Sequence, residues 1–268
     1  MIRVTISMSI FKKIPCLLLL IAFTTTLSAQ TWEVGVHGGG AGYIGDLNQD
    51  NPVKLSGIAA GAFVKANFDG YWGLGLHYTR GIISANDANS SNAQFRERNI
   101  NFRTPLNEVL LRVDFNFLDY FSGGGTKKFS PYLFSGVGGV LFKPTAKYEG
   151  QTYRVYDIKT EGQDNTYRDY ALTIPYGAGA KYRLNDNVSI FAEVGYRTAY
   201  TDYLDDVSGK YPDPPVYAFR TGYPLSDPSV KGIGIPGTQR GDYRKRDTYM
   251  FMSIGLSFAF LSDDCYKF

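Results

Sequence analysis

"YWGLGLHYTR", residues 71–80, alternates without a break. Trp72, Leu74, Leu76 and Tyr78 fall on one face of an extended chain, and Gly73, Gly75, His77 and Thr79 fall on the other. Side chains of successive strand residues point to opposite faces. "NVSIFAEVGYRT", residues 187–198, repeats the partition: Val188, Ile190, Ala192, Val194 and Tyr196 lie opposite Ser189, Phe191, Glu193, Gly195 and Arg197. A soluble barrel of the lipocalin type would turn the apolar set inward and the second set to water. Water-facing strand positions suit Thr, Lys or Glu better than repeated Gly. A narrow membrane barrel does the reverse: its apolar face meets lipid, and its lumen, just wide enough for side chains, takes glycine beside large polar groups. The partition favours the membrane barrel.

Working outward, eight segments alternate in this way: 31–42, 56–68, 71–84, 105–117, 130–143, 171–184, 187–200 and 247–260. Each is long enough to cross a bilayer as a tilted strand, which takes roughly 9–11 residues. Asp69-Gly70 and Asn185-Asp186-Asn187 are hairpin turns, and 118–129 is a middle-sized glycine-rich turn. The long connections, 43–55, 85–104, 144–170 and 201–246, alternate with the short ones. Such parity predicts an all-β, eight-stranded antiparallel transmembrane β-barrel with short periplasmic turns and long extracellular loops. The run Gly38 to Gly40 interrupts the first strand. Alternation puts Gly38 and Gly40 on the lipid side and Gly39 in the lumen, as expected of a crowded, strongly bent strand.

The ends agree with export. Arg3, Lys12 and Lys13 precede the apolar run "IPCLLLLIAF", which leads to "TTTLSAQ". This is the three-part pattern of a secretory signal peptide, 1–29, with cleavage expected after Ala29. The barrel then occupies 30–260, and 261–268 forms a periplasmic tail. The 268-residue chain has 30 Gly, 15% aromatic residues and a formal net charge of +3. Near balance of charge gives no reason to expect a nucleic-acid partner. Cys16 falls in the signal, so Cys265 is the one cysteine of the mature chain and forms no disulfide within it. A lone exported cysteine is either a free thiol or a candidate for an intermolecular disulfide.

Projected alternation lists the ionisable lumen residues as Glu33, His37, Lys65, His77, Glu108, Arg112, Asp114, Lys181, Arg183, Glu193 and Arg197. Buried charges persist when paired. The expected network joins Arg112, Arg183 and Arg197 to Glu33, Glu108 and Glu193, plugging the barrel; a conduction path is the alternative. The two histidines accompany no nucleophile motif, and no enzymatic activity, cofactor or metal is expected. Asp202, Asp205 and Asp206 in "TDYLDDVSG" are carboxylates that could bind calcium, but they lack the EF-hand spacing and read rather as a solvated loop tip. Arg240, Arg244, Lys245 and Arg246, just before the last strand, read either as a solvated loop base or as contacts to anionic outer-leaflet headgroups.

"YIGDLN" (43–48), "EVLLRVDFNFLDY" (108–120), "PYLFSGVGG" (131–139), "IPYGAGAKYRL" (174–184), "EVGYRTAYTDYLDDVSGKY" (193–211) and "SIGLSFAF" (253–260) resemble the PorG family across nearly the whole mature chain. Its members are outer-membrane barrels of the type IX secretion system. The resemblance implies a non-enzymatic accessory of protein export, associated with the periplasmic ring of the PorK lipoprotein and PorN. Its ring contacts would lie at 69–70, 118–129, 185–187 and 261–268. The competing expectation is a stand-alone surface barrel that adheres or binds ligands through loops 144–170 and 201–246.

Overall fold

The structure is a computed structural model, and it describes residues 31–49, 51–120, 126–217, 222, 224–242 and 244–260. The expected signal peptide, 1–29, and the tail 261–268 with Cys265 lie outside the described residues. Eight long strands close into one barrel. They are β1 (Thr31–Ile44), β2 (Leu55–Asn67), β3 (Trp72–Asn86), β4 (Asn101–Asn116), β5 (Phe129–Phe142), β8 (Tyr170–Arg183), β9 (Val188–Ala199) and β10 (Thr248–Phe260). Each pairs antiparallel with its neighbour in the chain order of these eight, and β1 pairs with β10, from Trp32 opposite Phe260 to Ile44 opposite Thr248, to shut the ring. A small hairpin, β6 (Ala146–Tyr148) and β7 (Gln151–Tyr153), forms a separate sheet in a long loop and is hydrogen-bonded to β4 through Asn101 and Lys147.

The partition read in 71–80 decides which way the barrel faces. Val36, Ile58, Leu76 and Ile254 are 57–71% exposed, on the outside, whereas their strand neighbours His37, His77 and Ser253 are buried inside. A continuous apolar exterior around a polar interior is the pattern of a barrel dissolved in lipid. Aromatic side chains crowd its short-turn end: Trp32, Trp72, Phe258 and Phe260 are exposed, and Trp72 packs on Phe115 at 4.7 Å. Tyr170 and Tyr200 mark the loop end. The short turns are held by side-chain oxygens. Asp69 Oδ1 accepts from the Tyr71 and Trp72 N–H groups, and Asn185 Oδ1 from those of Asn187 and Val188.

Three strand ends differ from the alternation by two residues or more. β3 and β4 continue their ladder up to Asn86 opposite Asn101, so β4 begins four residues before Pro105. Proline reads as a strand start because it cannot donate to a ladder. Here the β5 ladder begins only at Leu106, so Pro105 lies just past that pairing. β1 likewise runs on to Ile44, with an irregular register against β2 between Ala41 and Gly42.

Glycine in the lumen makes room for rings. A Cβ at Gly177 would stand 2.5 Å from Phe134 Cζ and against the Val194 carbonyl; one at Gly179 would stand 2.5 Å from Tyr132 Cζ. Gly39, the centre of the glycine run, has its missing Cβ aimed at the Met252 carbonyl of β10, so the strands approach there more closely than any other residue permits. Gly177→Val is expected to destabilise the barrel by about 1–3 kcal/mol through overpacking. Gly139→Val on the lipid face, where the nearest atom to a new Cβ is 3.8 Å away, is expected to stay within about 0.5 kcal/mol of the parent. Urea midpoints of the refolded variants check the contrast; equal midpoints would show that the lumen is loosely packed.

Candidate functional site

The lumen carries a closed set of ion pairs. Arg112, from β4, reaches Glu193 on β9 at 2.9 Å and Asp114 on its own strand at 2.9 Å. Lys65 on β2 lies 3.0 Å from Glu33 and 3.3 Å from Asp114, and Lys181 on β8 lies 3.8 Å from Asp114. Three cations thus meet three carboxylates, and the layer is neutral. Higher up, Arg197 lies 3.4 Å from Glu108, which also accepts from the Tyr249 hydroxyl. Every one of these cations lies over an aromatic ring as well: Arg112 over Phe134, Lys181 over Tyr132, Arg197 over Phe251 and Lys65 over Phe63. The space left among Glu33, Lys65, Arg112, Asp114, Tyr132 and Lys181 is about 10 Å3, at the lower limit for a single water.

Arg112–Glu193 and Arg197–Glu108 fall within the expected set, and the remaining partners differ from it. Glu33 pairs with Lys65 rather than an arginine, and Asp114 is the hub that the sequence did not single out. Arg183 lies half-buried at the short-turn end of β8, while Lys65, Arg197 and Arg112 hold Glu33, Glu108 and Glu193. His37 and His77 are buried, and His77 stacks on Phe63.

Above the lumen an apolar layer of Tyr43, Ile83, Phe102, Leu106, Phe142, Leu204 and Val207 closes the loop end, and the loops pack over it as a cap. Arg240 is held inside this cap. It is 3% exposed, reaches Glu161 at 3.2 Å and donates to the backbone carbonyls of Asp206 and Ser226. It therefore does not face headgroups, a correction to the sequence reading. Arg244, Lys245 and Arg246 do remain exposed, with Arg246 stacked over the outward Tyr200 ring. Asp205 and Asp206 are likewise buried, at 1% and 2%, and not a solvated tip. Asp206 accepts from the Thr160 and Tyr167 hydroxyls, and burial raises its pKa to about 6.

Asp46, Asp205 and Asp247 converge in the cap, with one carboxylate oxygen of each within 4.8 Å of the others. All three are at most 2% exposed. Tyr43 donates its hydroxyl to Asp205 and also lies 3.2 Å from Asp247 Oδ1. Backbone N–H groups of Asp242, Val207 and Leu204 donate to Asp46, Asp205 and Asp247. Asp46 Oδ2 has no partner among the described residues, and no salt bridge there reaches any of the three carboxylates. Burial pushes the Asp46 carboxyl up to about 7, and burial with mutual repulsion raises Asp205 and Asp247 well above the usual carboxylate range.

The family model described as a domain of unknown function, DUF6089, matches residues 12–268. The chain belongs to the DUF6089 family. No curated protein matches it in sequence. Solved structures similar to this DUF6089 chain include Neisserial surface protein A, at 12% identity and TM-score 0.40, covering 87% of this chain and 98% of that one. The outer membrane protein OprG of Pseudomonas aeruginosa gives the same identity, score and coverage. A major outer membrane protein of Thermus thermophilus gives 16% identity and TM-score 0.39, covering 87% and 100%. At this distance the likeness carries nothing about function.

In this DUF6089 barrel the strings "YIGDLN" and "TDYLDDVSG" supply Asp46 and Asp205 to one point, although their strands lie far apart in the sequence. Asp247 was legible only as the first residue of the last strand. The signal that could have found the cluster is charge placement. Asp46 and Asp247 lie just outside strand ends on the loop side, and the 201–246 loop folds Asp205 back to them.

Proposed function

We propose that this protein is a non-enzymatic outer-membrane component of the type IX secretion system, a scaffold associated with the periplasmic PorK and PorN ring. The observation that carries the scaffold reading is the filled lumen. Ion pairs and rings leave about 10 Å3 at its charged layer, so the barrel acts through its surfaces rather than by passing a solute. The secretion role itself rests on the resemblance to the PorG family. In this reading the signal peptide directs export, the short turns at 69–70 and 185–187 face the periplasm, and the cap faces outside. Arg244, Lys245 and Arg246 lie against anionic lipid headgroups. Cys265, in the tail, is the candidate for a disulfide to a ring subunit or a second copy.

Orientation is checked by labelling whole cells with an impermeant thiol reagent in a Cys265→Ser background. Ser208 is half-buried and hydrogen-bonded to Asp202, so it makes a poor probe. Val230 is 97% exposed in the cap. Val230→Cys is expected to label and Asp186→Cys to stay silent; the reverse pattern would invert the barrel. Ring association is checked by crosslinking from Asp186 in intact cells, with PorK or PorN expected in the adduct. A second reading, a stand-alone surface barrel, draws support from the ordered cap. It predicts that ring proteins are absent from that adduct and that replacing 201–246 abolishes function while export of cargo continues.

A further inference from the structure

We infer that Asp46, Asp205 and Asp247 form a calcium site that ties the cap together. The starting point is an imbalance. The neighbouring cap cations are spent: Arg98 is bidentate on Asp87, and Arg240 is bound to Glu161. Among the described residues no cationic side chain forms an ion pair with any of the three buried carboxylates. A buried charge without compensation is costly. Hydrogen bonds do not close the account. The Tyr43 hydroxyl carries one proton and lies against two carboxylates, so it satisfies Asp205 or Asp247 but not both at once. Asp46 Oδ2, in a residue only 2% exposed, receives no donor at all among the described residues.

The donor set names the ion. Each ligand atom is a carboxylate oxygen, with no His or Cys in the group, which suits a hard cation such as calcium or magnesium and not zinc or copper. Oxygens up to 4.8 Å apart fit around a centre with bonds of about 2.3–2.6 Å, the calcium range. Magnesium demands near-ideal octahedral geometry with bonds of about 2.0–2.1 Å, whereas calcium accepts longer bonds in a flexible geometry, which suits oxygens up to 4.8 Å apart on three separate segments. Calcium would join the segment after β1, the 201–246 loop and the base of β10. This inference does not rest on the secretion reading, and either stands if the other fails.

The test uses the full mature barrel, refolded in detergent and stripped with a chelator. Adding calcium at a hundredfold excess over Kd is expected to raise Tm by about 5–10 °C. It is also expected to slow proteolysis within 201–246. Magnesium at the same concentration has a much smaller effect on both. Asp205→Asn and Asp247→Asn are expected to abolish both calcium effects while matching the chelated parent in Tm, which separates loss of the site from loss of the fold. No response to calcium past about 1 mM, the weak end of extracellular calcium modules, overturns the assignment. So does an equal response to magnesium. If either Asn variant misfolds, the chelated parent alone still decides through its calcium and magnesium titrations.

Discussion

Arg112→Met is expected to lower the unfolding free energy of the barrel by about 3–5 kcal/mol, the range found when one partner of a buried ion pair is removed. Arg112 is 3% exposed and is bonded to both Asp114 and Glu193. Methionine fills much of its volume but leaves the layer with three carboxylates and only the two lysines. Lys65 and Lys181 already share Asp114, so Glu193 keeps the Tyr132 hydroxyl as its remaining donor. Urea titration of the refolded protein, followed by Trp32 and Trp72 fluorescence, measures the loss. Adding Glu193→Gln to Arg112→Met is expected to restore part of it, because the orphaned charge goes too. Lys143→Met, which breaks an exposed pair with Asp169, is the control and is expected to cost less than about 1 kcal/mol. A cost for Arg112→Met as small as that control would mean that water enters the lumen and the plug is not dry.

Ile254→Arg should cost about 2–4 kcal/mol in lipid vesicles, and Phe260→Arg about 1 kcal/mol or less, because the penalty for a cation on the lipid face depends on depth. Ile254 is the middle residue of β10, 58% exposed and flanked across the sheet by Gly38 and Ala192. Phe260 ends the same strand on the same face, among the aromatic side chains of the short-turn end. Vesicles are the right medium because a micelle deforms around a charge more easily than a bilayer. Equal costs at the two positions would mean that the apolar exterior does not mark the bilayer.

How far the sequence could be read follows from where it has a period. The strands have one. Parity alone sent Glu33, Lys65, Glu108, Arg112, Asp114, Lys181, Glu193 and Arg197 to the lumen, where all eight are buried. Parity does not give height or azimuth, so it could not tell that Lys65 would take Glu33 or that Asp114 would join three cations. The loops have no period. "TDYLDDVSG" looks like a hydrated tip because its carboxylates are dense, and Arg240 looks like a rim cation because its neighbours are basic. Both are buried because other loops, reaching back across the barrel mouth, cover them: Glu161 for Arg240, and Thr160 and Tyr167 for Asp206. The alternation starts β4 at Pro105, four residues late, because a local rule does not see where the partner ladder ends.

The seam between β1 and β10 sets the order in which this chain can finish folding. Every other strand pair joins neighbours in the sequence of the barrel, and can zip from its own connection. The seam alone joins the two ends of the ring, so it is the pairing with the greatest loop to close, and long-range pairings form late. Until then both edge strands expose unpaired backbone groups, which invite pairing with other chains. The glycine run adds a second problem: Gly38, Gly39 and Gly40 offer no side chains to tell one register from the next, and such strands slip easily. Alignment therefore falls to the flanks, where Val34 meets Phe258, Val36 meets Leu256 and Tyr43 meets Tyr249. These three contacts act as the latch of the barrel, and because they form late, weakening them would speed its opening more than it would slow its closure.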